Sequence, residues 1–452
     1  MAKKKKKSKL RKKIRKWTIL TLVLLFFLSI AWGIVELFLL VSRTVSGWFK
    51  EEPRSEMVED EVVEASAEEL MSDSLLAIKL DKLLKQNSQH LDTTRMSMCV
   101  FDATTQREVF NFHPNRRLIP ASIMKVPTAI AALEMLGMEH AYKTSVKMRG
   151  KMSGDTLVGT VVLNGDDDPL LLTLDTLANG LRRKGISAVR GHLTYKMTRE
   201  DLLSSHPSTK SWDIPYHRTP MMLRGKQYVK SQWKAALKKA GITFEEDQSV
   251  HTSGEWTDVA ETSTPLKDVL APMLIHSSNI KAEAVFFHLD NNTGRIRQNI
   301  MKWDNRQHAV DLFWRRYFNK RRNVTLRGAV WVDGSGLSPL NRITSHQMIE
   351  ILRYSWRKEH IRNYFIETAL ATPGHPTRHG SLLGRMSSPK YKDRVFVKTG
   401  TMVTEGTSSL TGYIHAGDGH WYLFCIINNN APVAESRLFQ DLLCKTFIEH
   451  SL

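Results

Sequence analysis

Residues 117–136 read RLIPASIMKVPTAIAALEML, and the position of Ser122 at the start of this apolar, helix-forming run governs how the whole chain is understood. Lys125 follows one turn later, so a helix opened by Ser122 carries both side chains on one face and stops at Leu136, before Gly137. A serine hydroxyl is a poor nucleophile until a base takes its proton. A lysine serves as that base when burial or another cation disfavours its charged form. The helix N-terminus also favours negative charge developing beside it. Spacing alone selects nothing, because Ser-x-x-Lys recurs at Ser231, Ser278, Ser355 and Ser387. Ser122 differs from these in opening an apolar helix behind Ile119, Pro120 and Ala121.

Working outward, Ser277-Ser278-Asn279 heads a helical run to Leu289, and Lys398-Thr399-Gly400 closes a strand-like run that begins at Arg394. Each tripeptide is common by itself. Together, in this order and in these settings, the three motifs mark serine enzymes of the β-lactamase and penicillin-binding type. The chain resembles the low-molecular-mass class C penicillin-binding proteins, the D-Ala-D-Ala carboxypeptidase and endopeptidase family S13. The likeness rests on Ile119-Pro120-Ala121-Ser122, Asp333-Gly334-Ser335-Gly336-Leu337-Ser338, Gly380-Ser381-Leu382, Val397-Lys398-Thr399-Gly400-Thr401 and, more loosely, Gly165 to Pro169. It extends over about residues 75 to 450. Two features depart from the family: Ser278 stands where Asp is more usual, and the insertion between the first two motifs is short.

The resemblance implies an α/β (α+β) transpeptidase or β-lactamase-like core, an antiparallel sheet flanked by helices and interrupted by an inserted α+β domain. It implies that Ser122 attacks the penultimate D-Ala carbonyl with Lys125 as base, that Ser277 relays a proton to the leaving amine, and that Asn279 binds the substrate amide. Lys398 would keep the site positive and, with Thr399, hold the terminal carboxylate. Gly400 and Thr401 would pair with the extended substrate, the amides of Ser122 and Thr401 forming the oxyanion hole. Peptidoglycan stem peptides are the implied substrates and β-lactams the covalent inhibitors, with no metal or organic cofactor. A serine β-lactamase and a catalytically weak wall-binding scaffold are the competing readings, the latter prompted by Ser278 and by the basic residues of the exported part.

The rest of the chain sets location and layout. At 452 residues, 42% hydrophobic and 25% charged, it can bury a core, and its formal charge of +19 would suggest nucleic acid. Much of that charge, however, is the basic run of residues 1–16, which lies directly before the apolar stretch 17–41, with Glu36 its one charge. The stretch is long enough to span a bilayer and is not followed by a small-residue cleavage site, so it reads as a single-pass anchor with a cytoplasmic basic tail and everything beyond exported. Nucleic acid is therefore not an expected partner. Residues 42–73, rich in Glu and Asp, read as an extended linker reaching at most about 100 Å.

Folding is then expected from Ser74, with Leu76, Leu80, Leu83 and Leu84 as a helical stripe. The catalytic core is assigned to 74–140 and 255–452 and the insertion to 141–254. Strands are expected at Met96–Phe101, Glu108–Phe112, Ala329–Val332 and Arg394–Lys398, with a closing hairpin of Leu410–His415 and Trp421–Asn428 and a last helix over Glu435–His450. Within the insertion, short β runs (Thr144–Met148, Thr156–Leu163, Ala188–Tyr195) alternate with helical ones (Leu172–Lys184, Lys226–Ala240). Cys99, Cys425 and Cys444 cannot build a fully paired disulfide framework and read as buried thiols. The polar run Asn164 to Asp168 reads as a turn, and the pairs His375 with His379 and His415 with His420 read as loop residues, so no metal site is expected.

Overall fold

The computed structural model describes residues 65–165, 174–196, 226–292, 308–319 and 326–451. The basic tail, the proposed anchor, most of the acidic linker and residues 166–169 lie outside them. Among the described residues no helix is long and apolar enough to cross a membrane.

The first helix, α1, runs over Ala67–Asn87 and so begins within the segment expected to be linker. A reciprocal cap is the cause: Glu69 N donates to Ser66 Oγ at 3.2 Å while Ser66 N donates to Glu69 Oε2 at 2.7 Å. Glu68 and Glu69 in the first turn then complement the helix dipole, so the acidic composition supports this terminus. Leu76, Leu80 and Leu84 are buried along one stripe, and Asp73, assigned to the end of the linker, is buried as well.

One antiparallel sheet forms the centre. Its strands are β1 (Met96–Asp102), β2 (Arg107–Phe112), β8 (Val395–Met402), β9 (Thr407–His415) and β10 (Trp421–Asn428), in the order β2-β1-β10-β9-β8. Alternation along the strands gives each face its own core. Met96, Met98, Val100, Val395 and Val397 pack with α1 and with the C-terminal helix through Phe439, Leu443 and Phe447. Cys99, Phe101, Phe396 and Cys425 pack on the opposite face with α2 (Lys125–Leu136) and the helical layer around it. Cys99 faces Cys425 across the β1–β10 pair, yet all three cysteines are free and buried, as expected.

A second, mixed sheet holds the insertion. Its strands are β3 (Ala141–Ser153), β4 (Thr156–Asn164), β5 (Ala188–Lys196), β6 (Thr243–Glu246) and β7 (Thr257–Pro265), ordered β6-β5-β4-β3-β7. The parallel pairs β4–β5 and β5–β6 need crossovers, and α3 (Leu174–Arg183) and α4 (Lys226–Lys239) fall within them and share a core with Val161, Val189 and Trp233. The boundary placed at residue 254 moves to Pro265, because β7 pairs with β3.

Beyond it come α5 (Leu266–Ile275), α6 (Asn279–Asn292), α7 (Ala309–Asn319), α8 (Ser345–Arg357), α9 (Glu359–Tyr364) and α10 (Val433–Ile448). The strand expected at Ala329–Val332 is reduced to one isolated bridge, Val330 to Arg342. Its backbone otherwise leads into the turn at Asp333 that serves the active site.

Candidate active site

The approach to Ser122 is fixed by residues far away in the chain. Leu118 forms an isolated bridge with Ile343, and Asn429, just past β10, grips Ile119 twice. Ile119 N donates to Asn429 Oδ1 at 2.8 Å, and Asn429 Nδ2 donates to Ile119 O at 3.0 Å. Ala121 then takes φ of +51°, a left-handed conformation unusual for alanine, and a 3-10 turn over Ala121–Met124 passes into α2 at Lys125. The helix expected to start at Ser122 thus starts three residues later. Strained backbone beside a reacting atom persists only when its surroundings over-determine it. Here Gly336 supplies the constraint, since a Cβ on it would lie 1.9 Å from Ala121 O.

Lys125 is fully buried, and its Nζ donates to Ser122 Oγ at 2.8 Å, Asn279 Oδ1 at 2.7 Å and Ser335 O at 2.6 Å. Burial pulls its pKa down from 10.5 to about 7, against the nearby carboxylates of Asp333 and Glu283. Once the amine is neutral it keeps two N–H donors and gains a lone pair. Asn279 Oδ1 and Ser335 O can only accept, so the lone pair must face the one partner that owns a proton, the Ser122 hydroxyl. The three contacts therefore orient the amine as well as hold it.

The loop that presents Ser335 is built on Asp333, the first residue of a segment that carried the family resemblance. Asp333 Oδ1 accepts from Gly336 N at 2.6 Å and Asn341 Nδ2 at 2.9 Å, and Oδ2 accepts from Ser338 N at 2.6 Å. Glu283 Oε1 accepts from Ser335 N at 3.1 Å, and burial together with Asp333 pushes the Glu283 carboxyl upward. Glu283 lies one turn after Asn279 on α6, a spacing visible in the sequence whose meaning was missed. Asn429 carried no sequence signal at all.

The second motif bends into place at Ser277, whose φ of +55° precedes α6. Ser277 is half-buried, and its hydroxyl makes no hydrogen bond among the described residues. Ser278, which replaces the more usual Asp, accepts from Lys281 N at 3.4 Å and so caps α6, a role that either residue type fills.

The third motif lies on the open edge of the sheet. Val397 exchanges both backbone hydrogen bonds with Ala371, at 2.9 and 3.2 Å, on the side of β8 away from β9. With a two-residue period, the N–H groups of Thr399 and Thr401 emerge on that same edge. Gly400 brings the strand against Ser122: a Cβ there would lie 2.7 Å from Pro120 O and 3.1 Å from Ser122 N. Lys398 is buried, donates to Thr399 O at 2.8 Å, and is held well below its ordinary pKa by burial and by Lys125. The Thr399 and Ser381 hydroxyls are hydrogen-bonded to each other, and Thr401 Oγ1 accepts from Arg437. Ser122, Lys125 and Asn279 are thus joined directly, Lys398 and Gly400 flank them, and Ser277 stands beside Asn279 without touching Ser122 through a hydrogen bond.

The model of the D-Ala-D-Ala carboxypeptidase 3 (S13) family matches residues 76–222 and 215–443. The chain belongs to that family. It is a serine-type DD-peptidase by that membership. The D-alanyl-D-alanine carboxypeptidase of Actinomadura sp. (strain R39) is 23% identical over 446 residues, covering 78% of this chain and 81% of that one. Among solved structures, penicillin-binding protein 4 of Haemophilus influenzae is similar with a TM-score of 0.64 at 17% identity, covering 82% of this S13 chain and 99% of its own. A predatory peptidoglycan endopeptidase of Bdellovibrio bacteriovorus is similar with a TM-score of 0.53 at 16% identity, covering 78% and 92%. These two likenesses establish the fold of the S13 chain. Its chemistry rests on the family and on the Ser122 site.

Proposed function

We propose that this DD-peptidase trims or opens peptidoglycan stem peptides outside the cytoplasmic membrane through an acyl-enzyme on Ser122. The observation that carries the reading is the three-way anchoring of Lys125, which leaves the Ser122 hydroxyl as the only proton donor facing the neutral amine. Lys125 takes that proton as Ser122 Oγ adds to the penultimate D-Ala carbonyl, and the amides of Ser122 and Thr401 receive the oxyanion. The Ser277 hydroxyl passes the proton to the departing amine, the C–N bond breaks, and D-Ala leaves. Water then hydrolyses the ester. Asn279 orients the substrate amide, Thr399 and Lys398 meet the terminal carboxylate, and the backbone of Gly400 and Thr401 aligns the peptide. A β-lactam would acylate the same oxygen, but its opened ring stays attached as the leaving amine, which slows release. Location is inferred from the sequence: with residues 17–41 as a single-pass anchor and the basic tail inside, the catalytic part would face the wall.

Fluorescent penicillin labelling of the full-length protein and of Ser122→Ala, together with D-Ala release from a pentapeptide, tests the assignment. Stable label that depends on Ser122 and D-Ala release are expected. Rapid label turnover would point to a β-lactamase instead, and neither label nor release would leave the scaffold reading standing. Protease accessibility of residues 42–64 in intact cells tests the topology.

A further inference from the structure

Of the two buried lysines at the reaction centre, Lys125 is held by Ser122, Asn279 and Ser335, which leaves Lys398, bonded to Thr399 O, to meet a substrate anion from within the site. A third cation stands at the exposed end of the same strand. Arg437, on the second turn of α10, donates from Nη2 to Thr401 Oγ1 at 3.1 Å. The carboxylate nearest along its helix is already used: Asp441 pairs with Arg385 at 2.6 Å, and Arg385 also donates to the backbone carbonyl of Arg437 at 3.3 Å. Arg437 itself forms no ion pair among the described residues. It is thus a held, exposed guanidinium with no carboxylate in ion-pair contact, Asp441 acting on it only from a distance, and it is bonded to a residue whose backbone lines the substrate edge.

The substrate brings the missing anion to that place. In a peptide ending in D-Ala the terminal carboxylate is two bonds beyond the leaving nitrogen. With the scissile carbonyl oxygen at the amides of Ser122 and Thr401, that carboxylate falls along the edge lined by Thr399 and Thr401. We propose that Arg437, together with the Thr401 hydroxyl it holds, recognises the free terminal carboxylate and selects substrates that carry one. The inference deepens the DD-peptidase reading of Ser122 and rests on it. A guanidinium presents a planar pair of donors to a carboxylate, a geometry the ammonium of a lysine does not reproduce.

The test compares full-length wild type, Arg437→Gln and Arg437→Lys on two substrates: a pentapeptide stem ending in a free D-Ala, and the same peptide with its terminal carboxylate converted to a primary amide. The quantity read is the ratio of kcat/KM for acid over amide. The ratio is expected to fall about tenfold in Arg437→Gln, the scale of one charge-assisted hydrogen bond, and to recover partly in Arg437→Lys. In wild type it should also shrink as salt rises, since an exposed charge contact is screened. An unchanged ratio in Arg437→Gln overturns the proposal. So does an equal loss on both substrates, which would mean that Arg437 only steadies Thr401. Should Arg437→Gln fail to fold, the wild-type salt series decides, and a flat ratio refutes the assignment. Failure of wild type to release D-Ala from the free pentapeptide would instead sink the reading of Ser122.

Discussion

The pH dependence of acylation follows from the surroundings of Lys125. Only the neutral amine can take the Ser122 proton, and burial brings its pKa down from 10.5 to about 7. The neutral fraction then rises from about a tenth at pH 6 to about nine tenths at pH 8, so the acylation rate should climb roughly tenfold across that interval. At the ordinary lysine value the same interval would lie wholly on the rising limb, and the rate would increase about a hundredfold without levelling. The shape therefore separates the two cases. Glu283 gives a second handle, because its carboxylate raises the Lys125 pKa. Glu283→Gln removes that pull while keeping an acceptor for Ser335 N, and should move the midpoint to lower pH. The shift should be well under one unit, since burial and Asp333 already favour the protonated Glu283. Stopped-flow acylation by a chromogenic penicillin, taken as the second-order rate constant between pH 5.5 and 9, measures both effects. A rate still climbing tenfold per unit at pH 9, or a midpoint that moves upward in Glu283→Gln, would refute this account of the base.

Three further outcomes are expected. Gly336→Ala places a methyl 1.9 Å from Ala121 O at a φ of +82°, so it should abolish penicillin acylation even if circular dichroism still shows a folded protein. Asn429→Ala leaves both backbone groups of Ile119 without these partners and should cost about 2 kcal/mol in urea unfolding, with slower acylation because Ala121 and Ser122 lose their anchor. Asp73 is raised to about 7, mainly by burial and then by Asp102, so the stability it contributes is present at low pH and lost as pH rises from about 4 towards 7. Asp73→Asn should accordingly flatten the fall of Tm between pH 5 and 7.5. Asp102 and His420 interact electrostatically with Asp73, so the difference between the two melting curves reports the loss of Asp73 together with its effect on these neighbours.

What could be read in advance follows the range of the interactions involved. The three motifs and the strands Met96–Asp102 and Trp421–Asn428 were legible because their signals are local: a fixed spacing, or apolar runs bounded by turns. The sheet's burial on both faces made those strands continuously apolar, which sequence patterns register well. Ser66 and Glu69 also formed a local signal, but it was hidden by the acidic run around it, and the start of α1 was placed too late. Asn429 was invisible because its partner Ile119 lies at the other end of the sequence. The edge of the insertion was misplaced for a related reason. Thr257–Pro265 carries weak alternation, and its membership of the second sheet depends on pairing with β3, more than a hundred residues earlier.

The same long-range contacts set one copy of a common tetrapeptide apart. Ser231, Ser278, Ser355 and Ser387 share the spacing of Ser122, but among the lysines that follow these serines only Lys125 is fully buried, with its amine bonded to its own serine. Depressing Lys125 from 10.5 to about 7 means that, near neutral pH, burial disfavours the ammonium by on the order of 5 kcal/mol relative to the unfolded chain. The fold bears that cost because Asn279, Ser335 and Ser122 satisfy the amine, and because Asp333 and Glu283 stop its pKa from falling further. Without those carboxylates the amine would be neutral over a wider range but a weaker base, and with fuller hydration it would be charged and inert. The Asp333 loop, more than the Ser-x-x-Lys spacing, sets Lys125 between those limits.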